Sequence, residues 1–482
     1  MNKNTTKNTM IKSQRQRISA CMIVKNEEEL LPNCLNSIKK VVDEIIIVDT
    51  GSIDNTVTIA KEFGAKVYHH SWNDSFSEAR NHCLQYASGD WIFQIDADEE
   101  LEQADIMKLK EAISNAKYNA IAVAIHSAIQ DNYHTFYNIR IFRRGKGFYQ
   151  GIIHEQLTVE GDRLSAAIRL YHYGYNLDPH KMKKKWQKTT RLLQKQLEQN
   201  KYYSFAWFNL IRNYRTQELF NEGIIAGENA LALFTPVSGT KDPEIDINMQ
   251  HYVMIVYETA NCYLHQASTV KAKELCYKVL SKLEAAGSIP ENIDILFTLA
   301  CVYLKEKNYQ NAVQYFHRFL SLRQWYLNNM NTNTLMTDTL GYDYAAYNGI
   351  GYCLGNSGQW GIAIDHLEKA IALNPRYRIA YDNLALCFEN TGDINSAIRT
   401  LLRTISEDIA DDTVWLHLGG LYLQQNAHEK ALPYFEKYLK SHPADKNVLL
   451  KIAWCYEQLG HLEAALIGYR SAEALKKPAS CK

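Results

Sequence analysis

A step of 34 residues in the C-terminal half is the feature that most narrows what this chain can fold into. Ala363, Ala397, Ala431 and Ala465 are each 34 apart, and Gly351, Ala385, Gly419 and Ala453 keep the same step. Gly358, Gly392 and Gly460 follow it too, with Asn426 in the remaining place. A fixed period of this length marks a stack of alike supersecondary units, because one unit alone cannot bury its apolar face. The small residue in each unit lets two helices approach closely. Gly or Asn suits a helix-ending turn, since both tolerate positive φ. Pro375 and Pro443 stand two periods apart, where a helix must stop.

Large residues recur as well: Trp415, Tyr422 and Phe435 in one unit, Leu449, Tyr456 and Tyr469 in the next. The whole pattern resembles the tetratricopeptide repeat. The resemblance covers four consecutive units over about 344–478. Ala300, Tyr303, Ala312 and Phe316 fit an earlier unit, Ala260, Tyr263 and Ala272 another, and Trp207, Leu210, Tyr214 and Ala230 a third. An Asn/Thr-rich stretch, Asn328–Thr339, breaks the period and is expected to loop out. Cys262, Cys353, Cys387 and Cys455 each fall two residues after the small residue of their unit, so packing explains them better than redox or metal chemistry. The chain holds 31 Tyr against 15 Phe. Many of these Tyr occupy repeat positions, in the core or on the concave surface that such solenoids offer to extended partners.

Before the repeats the periodicity changes. Ile18–Val24 reads as a strand, and Glu27–Lys39 as a helix with Leu30, Leu31, Cys34, Leu35 and Ile38 on one face. Glu44–Val48 is an apolar run, as in a strand buried on both faces. Asp49-Thr-Gly-Ser and Asp54 then form a turn into a helix at about 55–63. Val67–His69 is a short strand, Glu78–Tyr86 a helix, and Trp91–Ile95 a strand running into Asp96-Ala-Asp98-Glu99-Glu100. This order predicts a parallel sheet covered by helices, with ligands bound beyond the carboxyl ends of the strands. Asp49, Asp96 and Asp98 occupy such ends.

Val24-Lys25-Asn26-Glu27-Glu28, Val48-Asp49-Thr50-Gly51-Ser52-x-Asp54-x-Thr56, Phe76-x-x-Ala79-Arg80-Asn81 and Asp96-Ala97-Asp98-Glu99 occur in the order and spacing of family 2 glycosyltransferases of GT-A fold. The resemblance covers about 18–175, with Phe142-Arg143-Arg144, Gly151-x-x-His154-Glu155 and Tyr171-His-Tyr-Gly174-Tyr175-Asn as its later part. With the repeats, the arrangement is similar to bacterial glycosyltransferases with a tetratricopeptide tail, among them peptide S-glycosyltransferases and flagellin glycosyltransferases. The fold expected is therefore an α/β GT-A-type nucleotide-sugar domain followed by an all-α tetratricopeptide solenoid. Its segments are a disordered lead-in at 1–17, the catalytic domain at 18–175, a basic helical linker at 176–201 and the array at 202–478.

The resemblance implies roles. A nucleoside-diphosphate sugar, UDP-linked on this reading, loses a diphosphate whose charge a hard divalent cation can offset, using one or two carboxylates. Asp98 would ligate that metal and His154 would complete its shell; imidazole beside carboxylate leans towards Mn²⁺ over Mg²⁺. Asp96 would contact the ribose or the sugar. Asp49 would accept from the base, and Val24, Asn26, Glu27 and Arg80 would complete the donor site. Arg143 and Arg144 stay open between phosphate contacts and surface charges. Glu155 is the candidate base for the acceptor, with Asp131 second. An acceptor thiol would need such a base less than a hydroxyl does. The partner implied is a polypeptide resembling a bacteriocin precursor or flagellin, held by the repeats, and the array also offers a surface for homodimerisation.

Composition removes other classes. Lys+Arg and Asp+Glu both number 53, so the chain has no summed positive field of the kind nucleic-acid binders need. No run of about 18 apolar residues is present, so no transmembrane helix is expected, and Met1–Arg17 lacks the apolar stretch of a secretory signal. No CxxC pair occurs among the ten Cys. These features fit a cytoplasmic protein. Lys181–Lys201 carries Lys181, Lys183, Lys184, Lys185, Lys188, Arg191, Lys195 and Lys201 against Glu198 alone, and reads first as a solvated helix. Two other functions remain open: a non-catalytic interaction scaffold, and a transferase acting on a lipid or polysaccharide.

Overall fold

The computed structural model describes residues 15–129, 132–173, 179–234, 249–286, 291–328 and 337–475. The lead-in before residue 15, Asp131, the segment 174–178 and most of the Asn/Thr-rich insertion lie outside them. Clustering of contacts divides the chain into two compact units, Met1–His251 and Tyr252–Lys482.

The first unit is built on an eight-stranded sheet. Strand β1 (Ile18–Val24) pairs in parallel with β2 (Glu44–Asp49) on one side and β4 (Trp91–Gln94) on the other, and β2 pairs in parallel with β3 (Lys66–His69). Helices α1 (Leu31–Ile38), α2 (Thr56–Glu62) and α3 (Phe76–Leu84) make the crossovers. These four strands are the expected parallel sheet, and Ile46, Ile47 and Val48 are fully buried, as a strand covered on both faces requires. Helix α1 starts four residues after the expected Glu27. Asn26 takes φ +57°, and Leu30 and Leu31 bond back to the Glu27 carbonyl, so the chain turns once before Pro32 opens the helix.

Beyond β4 the sheet is mixed, which the parallel expectation missed. The short β5 (Glu99–Leu101) and helix α4 (Ile106–Ser114) lead to a long hairpin of β6 (Ala120–Ile129) and β7 (Asn132–Arg143). A two-stranded ribbon of β8 (Gly147–Gln150) and β9 (Gln156–Val159) precedes β10 (Arg163–His172). β7 pairs antiparallel with β4 and with β6, β10 runs parallel to β6, and β5 pairs antiparallel with β10. The order is β3-β2-β1-β4-β7-β6-β10-β5. This return brings the end of β10 beside Glu99 and Glu100, directly after the paired aspartates.

Helix α5 (Pro179–Gln199) and the pair α6 (Ser204–Thr216) and α7 (Phe220–Leu233) belong to the first unit. α5 is not a free linker. Leu192 and Leu193 are buried, Arg191 makes two bonds to Asp74 at 2.6 and 2.7 Å, and Gln196 Oε1 accepts from Ile152 N at 3.0 Å.

Helical hairpins follow: α8 (Met249–His265) with α9 (Thr269–Ala286), α10 (Ile293–Lys305) with α11 (Tyr309–Asn328), and four more. Those are α12 (Asp343–Asn356) with α13 (Trp360–Leu373), α14 (Arg378–Asn390) with α15 (Ile394–Ser406), α16 (Asp412–Gln424) with α17 (His428–Ser441), and α18 (Lys446–Gln458) with α19 (Leu462–Ala474). The turn inside each of the last four holds Gly358, Gly392, Asn426 or Gly460, with φ between +57° and +82°. The equivalent turns of the two earlier hairpins hold Ala267 and Lys307, both at φ +58°. The small residue on the first helix is a packing necessity: a Cβ at Gly351 would sit 2.5 Å from Leu367, and one at Gly419 2.5 Å from Phe435. Cys262, Cys353, Cys387 and Cys455 are buried, and every described cysteine is a free thiol. Burial pushes the Cys353 thiol up to about 12 and that of Cys387 up to about 11, which suits packing.

Candidate functional site

The site lies at the carboxyl ends of β1, β2 and β4. Two loops leave these strands and are bonded to each other. Asn26 N donates to Ser52 Oγ at 2.9 Å, and Ile53 N donates to Asn26 Oδ1 at 2.9 Å. Glu27 N donates to Thr56 Oγ1 at 2.7 Å, and Thr50 N reaches the Val24 carbonyl at 3.0 Å. Val24, Asn26 and Glu27 therefore belong to one braced rim with the Asp49 turn. Asp49 is buried at that turn; its carboxylate accepts from Gly51 N and Ser52 N, and His69 Nδ1 lies 3.3 Å away. Asp54 supplies the bonds at the start of α2, to Thr56 N at 3.0 Å. Asp49 is thus not needed as a helix cap.

Arg80, on α3, connects the next two candidates. It is 9% exposed; its Nη2 donates to Asp96 at 3.0 Å and its Nε to Glu155 at 2.5 Å. Arg140 of β7 approaches from the other side, with Nη2 2.6 Å from Glu99 and 3.6 Å from Asp96, and Nη1 2.7 Å from Gln94. Burial works against the Asp96 carboxylate, but Arg80 and Arg140 outweigh it and hold its pKa below the ordinary value. Fully buried Glu99 goes the other way, pushed up by burial against the pull of Arg140. Each guanidinium keeps a buried nitrogen without a protein acceptor, Arg80 Nη1 and Arg140 Nε. Arg140 escaped the sequence reading, which fixed on Arg143 and Arg144. Those two serve structure: Arg143 lies over the Trp91 ring and bonds the Tyr118 carbonyl, and Arg144 bonds the Gly89 carbonyl.

Asp98 meets a histidine, but one the sequence did not single out for it. His172 Nε2 at the end of β10 is 3.3 Å from Asp98 Oδ2, and the next residue, Tyr173, donates its N–H to the Asp98 carbonyl at 3.0 Å. Burial disfavours protonation of His172, yet the bond to Asp98 and the charges of Asp98, Glu99 and Asp96 prevail and raise its pKa. His154 sits instead at a bend with φ +50° beside Glu155. Desolvation of its ring, helped by Arg212 and Lys185, holds its pKa below the usual value against the pull of Glu155. Glu27 is pushed up to about 7, by burial and then by the charges of Asp98, Asp96 and Asp54. The cluster therefore carries negative charge that its own cations do not fully offset.

Among the described residues no three His, Cys, Asp or Glu side chains converge as a ready-made metal cage. Asp98 with His172 is nonetheless a donor pair that fits a hard cation of few protein ligands, whose remaining positions would go to phosphate oxygens and water. The buried spare donors of Arg80 and Arg140 suit an anionic ligand.

Parallel strands ending in acidic residues, followed by a helical repeat array, define an α/β domain joined to a solenoid. Residues 19–208 match the family model described as Glycosyl transferase family 2, and residues 293–324 and 351–476 match tetratricopeptide-repeat models. The chain carries a glycosyl transferase family 2 domain at its N-terminus and tetratricopeptide repeats in its C-terminal half. It is 30% identical over 195 residues to the SPbeta prophage-derived glycosyltransferase SunS of Bacillus subtilis, covering 39% of this chain and 46% of that protein. It is 42% identical over 99 residues to an uncharacterized glycosyltransferase of Rickettsia conorii, 20% of this chain and 33% of that one. A TPR repeat-containing protein of Synechococcus elongatus shares 58% identity over 85 residues, 18% of this chain and 21% of the relative. The chain thus spans less than half the length of each of these relatives.

Proposed function

We propose that the protein is a metal-dependent, inverting glycosyltransferase that moves a sugar from a nucleoside-diphosphate donor, UDP-linked, to a polypeptide held by the repeats. The observation that carries this reading is the pairing of Asp98 with His172 at 3.3 Å, two residues from an Asp96 that Arg80 and Arg140 hold. In this reading Asp98 and His172 hold Mn²⁺ or Mg²⁺, His172 taking the part expected of His154. The bound cation supplies charge that offsets the leaving diphosphate. Asp96, fixed by Arg80 and Arg140, orients the ribose or the sugar. Asp49 accepts from the base at the rim formed with Val24, Asn26 and Glu27.

Of the two carboxylates considered for the acceptor, Glu155 reaches this region and Asp131 lies outside the described residues. The bond from Arg80 competes for the oxygen with which Glu155 would take the acceptor's proton. A thiol acceptor asks least of such a base, because it ionises more readily than a hydroxyl. The polypeptide assignment is supported by Tyr352 and Leu386, 34 residues apart, and by Trp454 two periods further on, all on the first helices of their hairpins and 39%, 47% and 38% exposed. Free thiols throughout the described residues fit a cytoplasmic setting. Among those residues no helix is long and apolar enough to cross a membrane.

The test is Asp98→Ala with a labelled nucleotide sugar and the co-expressed acceptor. Transfer should fall by at least about a hundredfold, with thermal unfolding unchanged. Undiminished transfer refutes the assignment.

A further inference from the structure

Glu99 opens β5 and is 0% exposed. A carboxylate out of water is costly unless its oxygens are bonded. Here both are. Oε2 accepts from Asp96 N at 3.0 Å, and Oε1 accepts from Arg140 Nη2 at 2.6 Å. The main chain of Glu99 returns the first bond, its N–H donating to the Asp96 carbonyl at 3.0 Å. One residue therefore holds Asp96 by both its N–H and its C=O, with Ala97 and Asp98 forming the turn between. The Cys34 thiol donates to the same carbonyl at 3.3 Å.

These bonds close into a ring. Arg140 Nη1 donates to Gln94 Oε1 at 2.7 Å, and Gln94 Nε2 donates to Asp96 Oδ1 at 3.1 Å. From Asp96 N the path runs through Glu99, Arg140 and Gln94 back to the Asp96 carboxylate. Gln94 is buried like Glu99. The same turn sets Asp98. In the antiparallel pairing of β5 with β10, Glu99 stands opposite His172, and Tyr173 N bonds the Asp98 carbonyl at 3.0 Å. Opening the turn between 96 and 99 would therefore shift Asp98 relative to His172. Glu99 itself is not placed to ligate a cation, since both oxygens are engaged and none of its surface is open. An apolar side chain would fill this place at less cost in desolvation. A buried charge bonded to the start of the turn that it ends is suited instead to fixing the geometry of that turn.

We propose that Glu99 is a positioning residue of the site: bonded to Asp96 and Arg140, it holds the 96–98 turn so that Asp98 and His172 are presented as a preformed pair to the divalent cation. This rests on the glycosyltransferase reading above and adds to it the residue that governs metal affinity without touching the metal. Groups that orient metal ligands in this way carry about tenfold to hundredfold in affinity. Glu99→Gln isolates the role. The amide matches the carboxylate in size but offers one acceptor oxygen, so an N–H must face either Asp96 N or Arg140 Nη2.

The experiment is titration of the full-length protein with MnCl₂ in the presence of UDP, with free Mn²⁺ read by electron paramagnetic resonance and UDP alone as the blank. Calorimetry then gives the affinity for UDP at saturating MnCl₂. Glu99→Gln should weaken Mn²⁺ at least about tenfold, while saturating MnCl₂ restores UDP binding to within about twofold of the parent. Glu100→Gln removes the same charge from the next residue of β5, on the opposite face of the strand, and should hold Mn²⁺ within about twofold of the parent. Gln94→Met cuts the ring at its uncharged member and should weaken Mn²⁺ by about threefold or more, which keeps the test open should Glu99→Gln not fold. Unchanged Mn²⁺ affinity in Glu99→Gln or in Gln94→Met overturns the role of Glu99 while the glycosyltransferase reading stands. So does an equal loss in Glu100→Gln, or a loss of UDP binding that saturating MnCl₂ does not restore. A parent protein that retains no Mn²⁺ beyond the blank overturns both.

Discussion

Replacing Arg80 by Met removes the group that joins α3, the end of β4 and the 151–155 turn. The guanidinium is 9% exposed, and its bonds at 2.5 Å to Glu155 and 3.0 Å to Asp96 are both charge-assisted. A hydrogen bond to a charged group contributes about 1.5–3 kcal/mol, and breaking a buried ion pair from one side costs about 3–5 kcal/mol. Asp96 keeps Gln94 at 3.1 Å and Arg140 at 3.6 Å, so its share of the loss is softened. Glu155, whose side chain is 12% exposed, has no such substitute among the described residues. The expected loss is therefore about 3 kcal/mol, local to the first unit. Hydrogen exchange read peptide by peptide on the full chain separates that unit from the repeats, and protection across 76–96 is the signal. A cycle with Glu155→Met and the double variant should give a coupling of about 1.5 kcal/mol or more. A loss under about 1 kcal/mol, or a coupling near zero, refutes the view that Arg80 is the brace of this site.

In the repeats, Asp294 is buried and accepts from Thr339 N at 2.8 Å, Thr339 Oγ1 at 2.6 Å and Asp338 N at 3.1 Å; burial pushes its pKa up to about 6. A folded pKa above the unfolded value means this contribution is full below about pH 4 and is lost as pH rises through about 6. Asp294→Asn should remove that dependence and gain up to about 3 kcal/mol on the parent at pH 7, whereas Asp294→Ala, which removes the acceptor, should lose about 2 kcal/mol. Denaturant unfolding at pH 4.5 and pH 7 checks both, and a parent whose stability relative to Asp294→Asn does not move with pH contradicts it. Lys307→Gly, at φ +58°, should raise stability by about 0.5 kcal/mol, since relief of left-handed strain exceeds the entropy glycine adds to the unfolded chain. A lower Tm would count against it.

The four parallel strands and the repeat hairpins were legible because each rests on local pattern: apolar runs ending in aspartate, and small residues at a fixed step. The turns too were read from single residues, since Gly358, Gly392, Asn426 and Gly460 all take positive φ. The mixed half of the sheet was not legible. Its strands pair across long intervals, Ile92 with Phe142 and Leu170 with Leu101, and nothing local fixes such register. That is why His172 escaped notice as the neighbour of Asp98: Tyr171-His-Tyr read as an exit to the helices until β10 was seen to return beside β5. Arg140 was hidden for the same reason. Its charge reaches Asp96 and Glu99 only because β7 lies against β4. The basic run at 181–201 read as solvated because composition cannot show which side of a helix meets Asp74 and Trp72.

The anchoring of α5 has a consequence for how such proteins can be recombined. A cut at residue 175 would leave Asp74 without Arg191, the 152–153 backbone without Gln196, and Leu192 and Leu193 without a place to be buried. The smallest portable piece of the N-terminal half runs through α7, to about residue 234. A chimera that grafts this head onto a foreign array should be joined after that helix pair, so that the splice inherits the fastening whole.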